Sequence, residues 1–201
     1  MSNNAKQVLK LDHCPVPVAL ASLPASETLR LPSDPGILAM TDFQTLGPAT
    51  INASRTIDDA LRDMMFRGVR ALLVSGDASD IAGLITSYDI QGERPLQFLQ
   101  KTDHPTDIKA RGDIHVRDIM TPISELRVLT MDNLNTASMA DVASLSQASC
   151  LTHILVVDQY SDKWRIRGII SASRLQRSLG IHIESICAES SFADLAQAIG
   201  H

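Results

Sequence analysis

The sequence predicts an α+β fold in which two similar β-α-β-β-α repeats follow an extended N-terminal arm. The first observation is an internal repeat: residues 83–89, Gly-Leu-Ile-Thr-Ser-Tyr-Asp, return in looser form as residues 168–174, Gly-Ile-Ile-Ser-Ala-Ser-Arg. The second is a short apolar run, typical of a buried strand, that precedes each copy at residues 71–74 and 154–157. One repeat of about 60 residues would be marginally stable alone, so packing two together gives a physical reason for the duplication.

The chain divides into four predicted segments. Residues 1–36 are punctuated by five prolines, which restrict the backbone and favour an extended arm. Residues 37–107 form the first repeat and residues 108–182 the second, and each opens on a Met-Thr pair, at Met40 and Met120. Residues 183–201 form an amphipathic tail, with its apolar positions between residues 192 and 199.

Local signals define the elements of the first repeat. A short strand is predicted at residues 49–51. A helix follows, because Thr56 is a good N-cap, Asp59 stands three residues later, and Gly68 is suited to end the helix. Apolar residues at helical spacing, Met64 and Met65 among them, predict its buried face. Strands are expected at residues 71–75 and 81–86, and a second helix from residue 87 to about residue 93.

The second repeat shows the same order of elements. Residues 128–131 predict a strand, and Met139, Val142 and Leu145 mark a weaker helix. Strands at residues 153–158 and 164–171 are predicted to be joined by a loop at residues 159–163. A final helix runs from residue 172 to residue 179, where Gly180 ends it.

Composition excludes several classes of function. A net charge of −5 and an aromatic content of 3% argue against nucleic acid as a partner. No apolar run reaches the length of a membrane span. Cys14, Cys150 and Cys187 lack a CxxC spacing, which predicts reduced thiols and a cytoplasmic protein. The histidines and cysteines are too sparse for a metal site, and no nucleophile with a base is evident, so neither metal binding nor catalysis is expected.

The order of elements and the doubled Gly-x-x-[Ser/Thr]-x-x-Asp/Arg motif resemble the cystathionine β-synthase (CBS) domain, present twice as in a CBS pair or Bateman module. The resemblance covers residues 37–180. It implies two sheets packed around a pseudo-twofold axis, with clefts that hold AMP, ADP, ATP or S-adenosylmethionine. It further implies a homodimer that regulates an unidentified protein partner, with no obligatory cofactor.

By this resemblance, the first copy of the motif is a nucleoside site. Asp89 would accept hydrogen bonds from the ribose hydroxyls, and Thr86 would donate to a phosphate at the helix N-terminus. Gly83 would allow close packing of the backbone. Arg70 is a candidate for the phosphate charge, and Tyr88 stands where many relatives carry an arginine, which favours adenosine or AMP over ATP. The adenine would lie against Thr50, Ile51, Ala71 and Leu72.

Two alternatives stay open at the motif. Thr86 and Asp89 also have the spacing of a capping box, so they could close a helix in a ligand-free dimerisation or interaction scaffold. In the second copy Ser171 keeps the hydroxyl, but Arg174 can only donate and cannot serve a ribose. The second site is therefore predicted to be degenerate. Arg174 is expected to be a solvated or salt-bridged surface residue, and pairing with a phosphate of a ligand at the other site stays open as an alternative.

Overall fold

Two four-stranded sheets with helices against them form the computed structural model, which describes residues 29–76, 80–101, 111–161 and 163–181. The mixed α+β architecture predicted from the repeats is confirmed. Most of the predicted arm and the tail at residues 183–201 lie outside the described residues. The helices and strands follow in chain order as β1 (Met40–Asp42), β2 (Thr50–Asn52), α1 (Ile57–Arg67), β3 (Ala71–Ser75), β4 (Ile81–Thr86), α2 (Ser87–Gln91), α3 (Arg94–Lys101), α4 (Val116–Ile119), β5 (Thr121–Pro122), β6 (Val128–Thr130), α5 (Met131–Thr136), α6 (Met139–Ser149), β7 (His153–Tyr160), β8 (Lys163–Ser171) and α7 (Ala172–Leu179).

The two sheets repeat one topology. One has the order β2-β3-β4-β5 and the other β6-β7-β8-β1, each with one parallel pair followed by two antiparallel pairs. The short Met-Thr strands are exchanged between them, because β1 pairs with β8 and β5 pairs with β4. Each predicted repeat therefore supplies the edge strand of the other repeat's sheet, which links the two halves through backbone hydrogen bonds.

Close approach of these exchanged strands explains the glycine that opens each copy of the motif. A Cβ built on Gly83 would overlap the carbonyl oxygen of Thr121 in β5. A Cβ built on Gly168 would lie 2.5 Å from the carbonyl oxygen of Thr41 in β1. Gly83, predicted to allow close packing, thus faces the backbone of a neighbouring strand.

Side chains alternate between the two faces of each strand, and this separates the cores under the helices from the cluster between the sheets. In β3, Leu72 and Val74 belong to the core beneath α1 and α2, whereas Leu73 belongs to a third cluster with Leu84 and Leu155. Because successive side chains of a strand point to opposite faces, each sheet packs on helices with one face and on the other sheet with its second face. The cluster that joins Leu84 in one sheet to Leu155 in the other therefore marks the interface between the repeats.

The predicted helix signals act as expected. The side chain of Thr56 accepts a hydrogen bond from the Asp59 amide at 3.2 Å, and Gly68 closes α1 with φ 65°. Gly180 closes α7 in the same left-handed conformation, with φ 63°. The prediction that Met65 fills the core is wrong, since its exposed fraction is 68% while Met64 is buried. The helix turns Met65 away from the core that Met64 enters, because adjacent residues lie about 100° apart around the axis.

Two further elements differ from the expectation. The helix α5 follows β6 directly, and its six residues are too few to show an apolar periodicity. The hairpin of β7 and β8 extends to the pair Tyr160 and Lys163, so most of the predicted loop belongs to the strands. The described end of the arm forms backbone hydrogen bonds with the second repeat: Arg30 N donates to Ser178 O, and Met139 N donates to Asp34 O.

Cys150 is disulfide-bonded. The expectation of three reduced thiols is therefore wrong, because sequence spacing does not show which cysteines the fold brings together. The cytoplasmic location stays a prediction, but the cysteines no longer support it.

Candidate functional site

The first copy of the motif faces a cleft of about 300 Å³ between the two repeats. Its first wall carries Thr86, Asp89 and Arg94 from the end of β4 and the helices that follow. Its second wall carries Arg127, which immediately precedes β6, and His153, which begins β7. The volume is at the lower end of the range for small-molecule sites. Both repeats are needed to form this cleft.

Thr86 and Asp89 form a complete capping box at the start of α2. The Thr86 amide and hydroxyl each donate to Asp89 Oδ2 at 2.8 Å, and the Asp89 amide donates to Thr86 Oγ1 at 3.2 Å. Thr86 is buried and Asp89 is partly buried. The capping box that the spacing allows is thus present in the structure, and it holds the Asp89 carboxylate at the wall of the cleft.

Arg94 is a cleft residue that the sequence analysis did not identify. Its Nη1 lies 3.1 Å from Asp89 Oδ1 and donates to the carbonyl oxygen of Ile119 and to Thr121 Oγ1, both at 2.9 Å. The arginine therefore joins the motif to the exchanged strand β5. No local pattern revealed this role, because a break in the helix separates Arg94 from Asp89 and only the fold brings the two together.

Positive charge reaches the cleft from positions outside the motif. Tyr88, which occupies the place of the usual arginine, lines the cleft but carries no charge. Arg127 faces the cleft from the second repeat, and within the described part of the chain it has no hydrogen bond or ion pair. Arg70, the predicted phosphate ligand, is exposed at the start of β3 and acts electrostatically on His153.

The predicted adenine walls are distributed over both faces of their sheet. Ile51 and Leu72 are buried in the core beneath the helices, while Thr50 is exposed. Ala71 packs against the cluster between the sheets. The side chains that line the cleft opposite Asp89 come instead from Leu126, Arg127, Thr152 and His153 of the second repeat. These positions could have been found by placing the motif of the first repeat opposite the starts of the strands in the second repeat.

The second copy of the motif has a different local structure. Ser171 makes no capping hydrogen bond at the start of α7, and its hydroxyl lies 3.0 Å from that of Ser173. Arg174 Nη1 donates to Thr41 Oγ1 in β1 at 2.6 Å. Arg174 is thus an exposed residue, as expected for a surface arginine, and it is bound to a neutral hydroxyl of the exchanged strand.

Comparisons with known proteins agree with this architecture. Residues 40–94 match the family model of the CBS domain. A CBS-domain protein from Burkholderia ambifaria has 24% identity and a TM-score of 0.51, over 72% of this chain and 91% of its own. A conserved protein from Pyrococcus horikoshii has 23% identity and a TM-score of 0.50, over 77% of this chain and 98% of its own.

The fold is that of a tandem CBS-domain pair. A third structure, from Methanocaldococcus jannaschii, has 18% identity and a TM-score of 0.50 over 71% of this chain and 49% of its own. No curated protein sequence matches the chain. Within the described residues, no helix could span a membrane, and no group of three or more His, Cys, Asp or Glu side chains could hold a metal ion.

Burial gives the second repeat a titratable group with a displaced pKa. Desolvation lowers the pKa of His153 from 6.5 to about 4, the charge of Arg70 lowers it further, and the charge of Asp89 opposes the change. The ring Nδ1 lies 3.1 Å from Thr152 Oγ1. His153 is therefore neutral at pH 7, beside the carboxylate of the motif.

We expect the His153→Gln variant to tolerate acid better than the wild type. The unfolded chain binds a proton at His153 near pH 6.5 and the folded chain only near pH 4, so the free energy of unfolding falls as the pH decreases between these values. Between pH 7 and pH 5 this one group removes about 2 kcal/mol. Urea denaturation at both pH values measures the difference, and equal losses in the two proteins would contradict the prediction.

Proposed function

We propose that this CBS pair is a regulatory module whose cleft between the repeats binds an adenosine-containing ligand, namely AMP, ADP, ATP or S-adenosylmethionine. The observation that carries the proposal is the meeting of Thr86, Asp89 and Arg94 from one repeat with Arg127 from the other around one cavity. A ligand in such a cavity contacts both repeats. It favours one arrangement of them, and a partner protein can respond to that arrangement.

The chemistry of the cleft supports a nucleoside with a negative group. A carboxylate such as Asp89 accepts hydrogen bonds from two neighbouring hydroxyls of a ribose, and its charge strengthens them. The guanidinium of Arg127, exposed and without a partner among the described residues, is suited to a phosphate oxygen. These contacts are binding interactions, and the proposed role includes neither catalysis nor an obligatory cofactor.

A second candidate function is a ligand-free dimerisation or interaction scaffold. The complete capping box favours it, because Thr86 and Asp89 already satisfy each other without a ligand. Exposed apolar side chains at the end of α1 also favour it: the exposed fraction of Phe66 is 93%. A homodimer formed through this surface is compatible with either function.

Thermal unfolding with a panel of ligands separates the two candidates. The wild-type protein is heated with AMP, ADP, ATP, S-adenosylmethionine or guanosine monophosphate, the last as a control for the base. At a ligand concentration 100 times the Kd, we expect a stabilisation of about 2.7 kcal/mol from at least one adenosine ligand. No shift with any of them would favour the scaffold. Light scattering on the same samples measures the mass of the protein and tests whether it is a dimer.

A further inference from the structure

We propose that Arg94 is a specificity-determining residue of the cleft, and that it makes the site select a phosphorylated nucleoside over the unphosphorylated one. This inference rests on the proposed function, because it concerns the ligand class of the same cleft. It goes beyond that function by assigning the selection to a residue outside the repeated motif.

A ribose in the cleft would need an oxygen of Asp89 that can accept further hydrogen bonds. Asp89 Oδ2 already accepts two hydrogen bonds from Thr86, so Oδ1 is the oxygen with more capacity for a ligand. Arg94 Nη1 lies 3.1 Å from this Oδ1. A ribose hydroxyl that binds Oδ1 must therefore share it with the guanidinium or displace the guanidinium.

Arg94 keeps other partners when a ribose occupies the Asp89 carboxylate. Its Nη1 also donates to the Ile119 carbonyl and to Thr121 Oγ1, both at 2.9 Å. These acceptors are neutral and belong to a part of the fold that the ribose does not replace. Arg94 therefore stays at the wall of the cleft, where its charge has lost part of its compensation by Asp89.

Adenosine and a nucleoside monophosphate differ in the charge that they bring to Arg94. Adenosine is neutral, so it weakens the pairing of Arg94 with Asp89 and supplies no anion in exchange. A nucleoside monophosphate supplies its own anion, and a second cation, Arg127, faces the same cleft from the other repeat. Glu125, the other acid that lines the cleft, is exposed and leaves the two arginines available to a phosphate. The competition at Asp89 thus weakens the binding of both ligands, but only the monophosphate supplies an anion that compensates for it.

Calorimetric titration of AMP and adenosine into three proteins tests the proposal. The Arg94→Gln variant keeps a donor for Ile119 and Thr121 but loses the charge. The Arg94→Lys variant keeps the charge. The control is Arg62→Gln, which removes an exposed arginine of α1 that pairs with Asp59.

For the wild type and the control we expect AMP to bind more tightly than adenosine. In Arg94→Gln the ratio of the two affinities should fall about tenfold or more, since a hydrogen bond to a charged group is lost for AMP only. Adenosine should bind as well as before or a few-fold more tightly, and Arg94→Lys should recover part of the preference.

Equal weakening of both ligands in Arg94→Gln would overturn the proposal, because it indicates a purely structural role. An unchanged ratio would also overturn it while leaving the proposed function intact. If the wild type binds neither ligand, the proposed function fails together with this inference, so the two failures are distinguishable.

Discussion

Replacing Gly83 by alanine is expected to destabilise the fold by roughly 3 kcal/mol, the upper part of the range for overpacking a closely packed site. The added Cβ would overlap the carbonyl oxygen of Thr121 and would lie 3.2 Å from the Cα of Pro122. Both are backbone atoms of β5, so the clash cannot be relieved by a side-chain rotation. The strand must move, and its pairing with Gly83 and Leu84 weakens. Urea denaturation of the variant and the wild type measures this loss.

The matched control is Gly47→Ala, because a Cβ built there has no neighbour within 4 Å. We expect its stability to stay within about 0.5 kcal/mol of the wild type, as for other surface changes. Gly168→Ala should resemble Gly83→Ala, since the corresponding Cβ lies 2.5 Å from the Thr41 carbonyl oxygen. A Gly83→Ala protein as stable as the Gly47→Ala protein would show that β5 does not depend on this close approach.

Replacing Asp89 by alanine is expected to weaken AMP binding by a factor of about 10 to 100, the range for losing hydrogen bonds to a charged group. The carboxylate lies at the wall of the cleft and is the acceptor proposed for the ribose hydroxyls. The variant also loses its capping box, which costs about 1 kcal/mol of stability. Calorimetry of AMP binding and urea denaturation together measure the two effects separately.

Asp141→Ala is the control that separates binding from capping. Asp141 Oδ2 accepts from the Ser138 amide at 2.9 Å and from its hydroxyl at 2.7 Å, the same arrangement as at Asp89. We expect Asp141→Ala to lose similar stability and to keep its affinity for AMP. Arg174→Ala should keep it as well. If Asp89→Ala and Asp141→Ala bind AMP equally, Asp89 is a helix cap only and does not contact the ligand.

Much of the fold follows from local signals. The strands β3 and β4 have the predicted bounds, and α1 and α7 begin and end at the predicted caps. These predictions succeeded because an N-cap hydroxyl, a left-handed glycine and a short apolar run act on residues within a few positions of themselves. The short helix α5 was missed because six residues are fewer than two helical turns.

The composition of the cleft was less accessible to the sequence. Thr86 and Asp89 do face the cleft, but Ile51 and Leu72 lie in the core between their sheet and the helices. Their apolar character is the same in a core as in a ligand site, so residue type alone could not separate the two. Arg94 and Arg127 carry no motif that connects them to Asp89, and their approach depends on how the repeats pack.

The duplication of the chain, the positions of most strands and helices, and the difference between Asp89 and Arg174 in the two motif copies all follow from the amino-acid order. The exchange of the Met-Thr strands and the origin of the two cleft walls in different repeats depend on how the repeats pack. The two kinds of feature differ in the range of the interactions that cause them. Caps and strand patterns act over a few residues, whereas the pairing of β1 with β8 joins residues far apart in sequence, whose contacts depend on packing the two sheets together.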